Sequence, residues 1–277
     1  MRVRRSIKLI LAGSVALTHV GLGAEEAREP EGDAPKEPSV LAIFAHPDDE
    51  VTVGPLLARV TRGGGEVTLI YATSGDQGPG VSSMERGAAL AKHREGEARC
   101  AATALGARTV VFLQHGDGTL GENAHHPGSS AEKLLADVTT LIREAKPNVV
   151  VTWGPDGGYG HADHRMVSAI VTQVVLSMPD ETRPVLFYPA IIDGTLPPVE
   201  ELQRWATVAR DLVSSDVPYE QEDLEAAAKA LDCHASQFDA QTRAGLVPLF
   251  DQSIWRGKVH LRNGAPRQQP RLLTATD

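Results

Sequence analysis

The sequence predicts a doubly wound α/β fold, in which helices cover both faces of a mostly parallel sheet. Short apolar runs, typical of strands buried on both faces, alternate with segments of helical spacing between residues 40 and 188. Glycine-rich or polar loops follow several of these runs. The chain has 277 residues, of which 42% are hydrophobic, so one large domain can bury a core and a wholly disordered chain is excluded.

The first predicted strand, residues 40–45, is entirely apolar and leads into a helical stretch over residues 50–62. Three consecutive glycines end that helix. The second strand covers residues 67–73. A glycine-rich loop separates it from a helix over residues 85–105, which ends at Gly106. Each unit therefore pairs one buried strand with one covering helix.

The third strand, residues 109–113, is followed by a long polar loop and a helix over residues 131–145. Pro147 ends this helix, because a proline disfavours helical geometry at the residue before it. The fourth strand covers residues 149–153. The remaining predicted elements are a helix over 165–176, a fifth strand over 185–188, helical segments over 223–231 and 238–249, and a late strand over 259–262.

Right-handed crossovers between parallel strands give a Rossmann-like sheet, for which the common strand order is 3-2-1-4-5. Strands one and four are then neighbours at the switch point of the sheet. Ligands bind at this point, outside the carboxyl ends of the strands. Chemistry is therefore expected just after residue 45 and just after residue 153.

Both ends of the chain are predicted to lie outside the folded domain. Basic residues followed by an apolar stretch without Asp or Glu make residues 1–24 an export signal, with an uncleaved anchor as the alternative. Residues 25–38 are rich in proline and glutamate, as in disordered spacers. A single domain is predicted over residues 39–270, with a tail over residues 271–277. We expect a periplasmic or extracellular protein with no stable membrane span after signal removal.

Charge and cysteine content exclude further classes of protein. The formal net charge of −9 argues against nucleic-acid binding by phosphate neutralisation. Cys100 and Cys233 do not form a C-x-x-C pair, so a cysteine-based zinc site is excluded. An exported chain allows a disulfide between them, and two separate thiols are the alternative. The oligomeric state stays open.

Residues of the types that bind metals follow strands one and four. The sequence reads A-H-P-D-D-E at residues 45–50 and Y-G-H-A-D-H at residues 159–164. His46, Asp49 and His164 supply two imidazoles and one carboxylate. Three protein ligands leave a fourth position for water, the pattern of a catalytic zinc site.

Acid–base residues stand beside these ligands. Asp48 adjoins a ligand and is the expected general base. His161, three residues before a ligand, is expected to stabilise the oxyanion and protonate the leaving amine, with Asp163 holding its tautomer. Each motif alone also fits a capped helix start, with Asp49 as N-cap and Glu50 in the first turn. Two such motifs at the ends of neighbouring strands favour a functional site.

The two motifs closely resemble those of the PIG-L/LmbE-like zinc de-N-acetylases, which share an A-H-P-D-D-E box and an H-x-D-H box on a Rossmann-like fold. The resemblance covers residues 39–190 well and the C-terminal part loosely. It implies one Zn²⁺ per chain, held by His46, Asp49 and His164, and it implies that Asp48 is the base.

The resemblance also implies further roles. His161 is the oxyanion and acid histidine, supported by Asp163, and Tyr159 assists at the oxyanion. Arg94 resembles an arginine that contacts sugar hydroxyls, although an ordinary salt-bridged surface of a helix is an equal alternative. Asp117 resembles an aspartate at the rim of the substrate pocket.

The predicted activity is zinc-dependent removal of an acetyl group from a small N-acetylated amine, with an N-acetylglucosamine-type sugar as the first expectation. An amide in a thiol or antibiotic-type conjugate is an alternative substrate for the same site. Two other classes stay open: a non-haem iron enzyme, which also uses two histidines and a carboxylate, and an inactive sugar-binding module. The H-A-S-Q segment that begins at His234 resembles a late segment of the family.

Overall fold

The computed structural model describes residues 38–265, which contribute to one seven-stranded sheet flanked by helices. The strands are β1 (Ser39–Phe44), β2 (Glu66–Thr73), β3 (Thr109–His115), β4 (Val149–Thr152), β5 (Val185–Pro189), β6 (Ser215–Pro218) and β7 (Lys258–Asn263). The helices are α1 (Gly54–Arg62), α2 (Ala88–Ala104), α3 (Ser130–Ala145), α4 (Ala162–Leu176), α5 (Gln221–Cys233) and α6 (Ala240–Phe250).

The strand order is β3-β2-β1-β4-β5-β7-β6. Strands β1 to β5 are parallel, and Val40 of β1 lies opposite Val67 on one side and Val149 on the other. The predicted order of the first five strands is confirmed, and β1 and β4 are neighbours. Strand β7 pairs antiparallel with both β5 and β6. The late strand is thus confirmed as β7, whereas β6 was not predicted because S-D-V-P has no apolar run.

The core lies in two layers, one on each face of the sheet. Alternate residues of a strand point to opposite faces. Val40, Ala42 and Phe44 therefore pack under α1, α2 and α5, while Leu41 and Ile43 pack against α3 and α4. Helices cover both faces, as the continuous apolar strands predicted.

The first helix begins later than predicted. Residues Asp49–Val53 form a 3-10 turn, and α1 begins at Gly54. Pro55 suits this start, because its ring fixes helical geometry and its missing N–H is not needed in the first turn. The aspartates and Glu50 of the A-H-P-D-D-E box are thereby kept out of the regular helix.

The two cysteines form a disulfide that joins α2 to the end of α5. The Cα atoms of Cys100 and Cys233 lie 5.8 Å apart, at a sequence separation of 133. Among residues 38–265, no helix has both the length and the apolar character needed to cross a bilayer. The predicted signal over 1–24, nearly all of the predicted spacer over 25–38, and the predicted tail over 271–277 lie outside the described residues.

Candidate active site

The site forms where the loops after β1 and β4 meet. Because β1 and β4 are adjacent and parallel, their carboxyl ends open at the same edge of the sheet. The loop after β1 carries His46 and Asp49, and the first turn of α4 carries His164. All three side chains are buried, with at most 7% of each residue exposed.

The three predicted ligands face a common point. His46 Nδ1 lies 3.1 Å from His164 Nε2, and His164 Nε2 lies 3.1 Å from Asp49 Oδ1. Asp49 Oδ2 lies 3.9 Å from His46 Nδ1. Ligands about 2.0–2.1 Å from a tetrahedral zinc ion are about 3.3 Å from one another. The observed spacing therefore fits one small cation.

The hydrogen bonds behind the rings direct their lone pairs toward that point. His46 Nε2 faces Asp117 Oδ1 at 3.0 Å and Asp163 Oδ2 at 3.4 Å. His164 Nδ1 faces the Gly157 carbonyl oxygen at 3.1 Å. Since carboxylate and carbonyl oxygens only accept, these nitrogens carry the protons. His46 Nδ1 and His164 Nε2 are therefore the two ring nitrogens whose lone pairs are available to a metal once it displaces any proton they hold.

Two further combinations of side chains around His46 could also hold a cation. His46, Asp117 and Asp163 offer atoms within 4.8 Å of one another, and so do His46, His161 and His164. The first group is explained by the His46 Nε2–H, which donates to the two carboxylates. We therefore place the metal site on the Nδ1 side of His46, where the ring nitrogens converge.

Asp49 is held by three donors on its Oδ2 atom. The backbone N–H groups of Ala45 and His46 donate at 3.0 Å each, and Trp153 Nε1 donates at 2.9 Å. Burial alone would raise the pKa of Asp49, but the neighbouring His164 and His46 and the Trp153 hydrogen bond lower it. The carboxylate stays ionised, with Oδ1 free to bind a cation.

His46 combines burial with two acidic partners. Burial alone would lower its pKa, but the hydrogen bonds to Asp117 and Asp163 outweigh burial and raise the pKa to about 10. Binding a cation through Nδ1 therefore displaces a proton from this ring.

Asp48 stands beside the ligands without belonging to them. Its backbone φ is 111°, a left-handed value that is uncommon for residues other than glycine. Burial raises its pKa to about 6, against the lowering effect of the Arg94 charge. A carboxylate with a pKa near neutrality is suited to general-base catalysis.

Arg94 occupies a different place from the one expected. It is buried rather than on a salt-bridged surface, with 3% exposure. Its guanidinium donates to Asp48 Oδ2 at 3.1 Å and to the carbonyl oxygens of Pro47, Gly75 and Gly78 at 2.6, 3.0 and 3.2 Å. Because these bonds occupy the guanidinium beneath the loop, Arg94 holds the Asp48 loop and does not face an open pocket for sugar hydroxyls.

Asp117 and Asp163 also make different contacts from those expected. Asp117, expected at the pocket rim, is 8% exposed and contacts His46 through Oδ1. The Asp163 carboxylate, expected to hold His161, accepts from the N–H groups of Gly118 at 2.7 Å and Leu120 at 3.2 Å. Both carboxylates therefore orient His46, which explains their burial.

His161 and Tyr159 lie on the open side of the site. The backbone N–H of Asp163 donates to His161 Nδ1 at 3.2 Å, so the proton of the neutral ring is on Nε2. Burial and the neighbouring imidazole rings of His46 and His164 lower the pKa of His161. Tyr159 is 38% exposed, and its ring centroid lies 6.0 Å from that of His161.

Several contributing residues were not predicted from the sequence. Trp153 donates to Asp49 and stacks on His164, with ring centroids 4.5 Å apart. Glu50, expected only at a helix start, is fully buried and contacts His234 at 2.6 Å. A tryptophan directly after an apolar strand was the only sequence signal for Trp153. The distance of 184 residues between Glu50 and His234 hid their contact.

Comparison with known proteins relates about half of the chain to de-N-acetylases. The family model described as PIG-L, GlcNAc-PI de-N-acetylase, matches residues 41–175. The chain is 36% identical over 169 residues to a 1D-myo-inositol 2-acetamido-2-deoxy-alpha-D-glucopyranoside deacetylase of Kineococcus radiotolerans, covering 52% of this chain and 46% of that protein. It is 39% identical over 150 residues to a deacetylase of the same name, numbered 2, of Catenulispora acidiphila, covering 48% and 49%. The chain thus spans about half the length of these relatives.

A solved structure shows the same fold. N,N'-diacetylchitobiose deacetylase from Pyrococcus horikoshii aligns with 82% of this chain and 84% of its own, with a TM-score of 0.61 and 20% sequence identity. The alignment extends beyond residue 175, so most of the C-terminal part shares this architecture as well. At this level of identity the likeness shows the fold alone.

Proposed function

We propose, from the match of residues 41–175 to the PIG-L family model and from the geometry of the site, that this chain is a metal-dependent hydrolase that removes an acetyl group from an N-acetylated amine. One observation carries the proposal. Two imidazole nitrogens and one carboxylate converge within 3.1–3.9 Å of one another, beside the separate carboxylate of Asp48. This arrangement combines a cation site that leaves a vacancy with a base.

We propose a small molecule that contains N-acetylglucosamine as the substrate. Both relatives described above carry in their names the deacetylation of a 2-acetamido-2-deoxy-glucopyranoside. A hydrolase needs to recognise only the acetamido group at the metal. An amide in a thiol or antibiotic-type conjugate is therefore the alternative substrate, and a substrate screen distinguishes the two.

Zn²⁺ is the cation that fits this donor set best, held by His46, Asp49 and His164. A bound zinc ion supplies Lewis-acid chemistry, polarising a carbonyl and making a water molecule more acidic. Asp117 and Asp163 support the site by fixing His46, and the Gly157 carbonyl fixes His164.

The remaining steps belong to side chains of this chain. Asp48 accepts a proton from the attacking water, while Arg94 keeps its carboxylate in place. His161 presents its Nε2–H as a donor to the oxygen that becomes negative in the transition state. Tyr159, at the open edge, offers a second donor to that oxygen. The sequence assigned protonation of the leaving nitrogen to His161, but the single proton of its neutral ring is on the Nε2 that faces the oxyanion. We therefore assign that step to the proton held by Asp48, and an amine and acetate depart.

We further propose that the protein is exported. The disulfide between Cys100 and Cys233 supports this proposal, because disulfides persist in oxidising compartments and are rare in the cytosol. Cell fractionation with an antibody against the chain tests it, and a purely cytosolic protein with free thiols would contradict it.

Acetate release from a panel of N-acetylated amino sugars and conjugates tests the activity. We expect turnover that a chelator abolishes and Zn²⁺ restores. Asp48→Asn should keep the metal and lower turnover about 10²-fold to 10⁴-fold, because the base is removed. His164→Ala should lose the metal.

Asp180→Asn is the matched control, since this carboxylate is exposed at the end of the sheet away from the site. It should turn over at the wild-type rate. Near-normal turnover by Asp48→Asn would remove that residue from the base role. Metal binding without acetate release from any substrate would contradict the proposed activity.

A further inference from the structure

Glu50 is a buried carboxylate that lies outside the proposed set of metal ligands and is not the proposed base. It is fully buried, as is His234. Its Oε1 lies 2.6 Å from His234 Nε2, and its Oε2 accepts from the Tyr71 hydroxyl at 2.8 Å and from the Asp48 N–H at 3.1 Å. An isolated buried carboxylate is very unfavourable, so these partners hold Glu50 in one position.

Asp48, the proposed base, depends on that position for its backbone orientation. A residue with a side chain is strained at a φ of 111° and stays there only when its surroundings fix it. The N–H of Asp48 is fixed by Glu50, and its carboxylate is fixed by Arg94 at 3.1 Å. If Glu50 moves, the peptide that aims the base at the substrate loses one of its two anchors.

We propose that His234 is a positioning residue for Asp48, acting through Glu50; this rests on the proposed role of Asp48 as the base. His234 lies at the end of α5, beyond residue 175, where the family match ends. The C-terminal part of the chain therefore completes a site whose reacting groups all come from the matched part.

Covalent and polar links fix His234 against the helix that anchors the other side of Asp48. Cys233, the preceding residue, is bonded to Cys100 of α2. Ser236 donates to the Glu97 carboxylate of the same helix through its N–H at 2.7 Å and its hydroxyl at 2.6 Å. Helix α2 also carries Arg94. The Arg94 contact and the Glu50–His234 contact, which together hold Asp48, are therefore both attached to this helix.

A double-mutant cycle tests the inference. We expect His234→Ala to lower kcat about 10-fold to 100-fold, because a small misplacement of a reacting group has effects of this size. KM and the zinc content of the purified protein should stay at wild-type values. His234→Gln keeps a donor for Glu50 and should show a smaller loss. In the Asp48→Asn background, neither substitution should lower the residual kcat further, since the group they position is gone.

His260→Gln is the matched control. It removes another largely buried histidine–carboxylate contact, His260 to Asp216 at 2.6 Å, from a pair that has no link to Asp48. Its kcat should stay at the wild-type value.

A merely structural role for His234 predicts a different pattern. The loss would then recur in the Asp48→Asn background, or KM and zinc content would change together with the melting temperature. Equal losses in both backgrounds, or a kcat within twofold of wild type for both His234 variants, would overturn the inference. If His234→Ala does not fold, His234→Gln carries the cycle alone. Near-normal kcat in Asp48→Asn itself would instead contradict the proposed base.

Discussion

Replacing Trp153 by phenylalanine is expected to weaken zinc binding about 10-fold to 100-fold. The indole N–H provides one of the three hydrogen bonds on Asp49 Oδ2, at 2.9 Å. A hydrogen bond to a charged group contributes about 1.5–3 kcal/mol, and each ~1.4 kcal/mol changes a dissociation constant tenfold. A phenyl ring keeps the apolar contact with His164. A weaker zinc affinity would therefore report the loss of the hydrogen bond that orients the Asp49 carboxylate.

Competition between the protein and a zinc chelator of known affinity measures this change. Trp255→Phe is the matched control, because Trp255 is equally buried and its N–H donates to a backbone carbonyl, that of Thr52, at 3.3 Å. Its zinc affinity should equal that of the wild type. An unchanged Kd for Trp153→Phe, or the same loss in both variants, would refute the reasoning.

Two predictions concern stability. Replacing Cys100 and Cys233 together by serine should lower the free energy of unfolding by about 2–5 kcal/mol, because the disulfide closes a long loop in the unfolded chain; an unchanged urea midpoint would contradict this. Burial alone would raise the pKa of Asp223, but its hydrogen bonds from Arg62 and from the Glu220 N–H lower it. The ionised form therefore stabilises the fold above an unfolded-state pKa near 3.8, and this contribution is lost as the pH falls below that value. Melting temperatures between pH 7 and pH 3 should fall less for Asp223→Asn than for the wild type, and parallel curves would argue against this role of Asp223.

The fold was predictable where one local signal decided the structure. The apolar runs at 40–45 and 149–153 had few alternatives to buried parallel strands, and the strand order followed from known crossover geometry. The region after residue 190 was harder, because β6 is short and partly polar and is stabilised by pairing with β7 rather than by its own composition.

The site was predictable in its residues but not in its contacts. His46, Asp49 and His164 were selected by residue type and by their place after neighbouring strands, and the structure brings them together. Which carboxylate faces which ring depends on side-chain direction, so the sequence placed Asp117 at the pocket rim and Asp163 beside His161. Arg94 carries no mark in the sequence that distinguishes burial from exposure on its helix.

The position of β7 affects how the chain matures. Among residues 38–265 it is the last strand along the chain, yet it lies inside the sheet, between β5 and β6. Until it emerges from the ribosome, β5 presents an open edge and β6 has no strand to pair with. A nascent chain is therefore exposed to edge-to-edge aggregation over its final stretch, and a chaperone that shields β5 during that interval would raise the yield of folded protein.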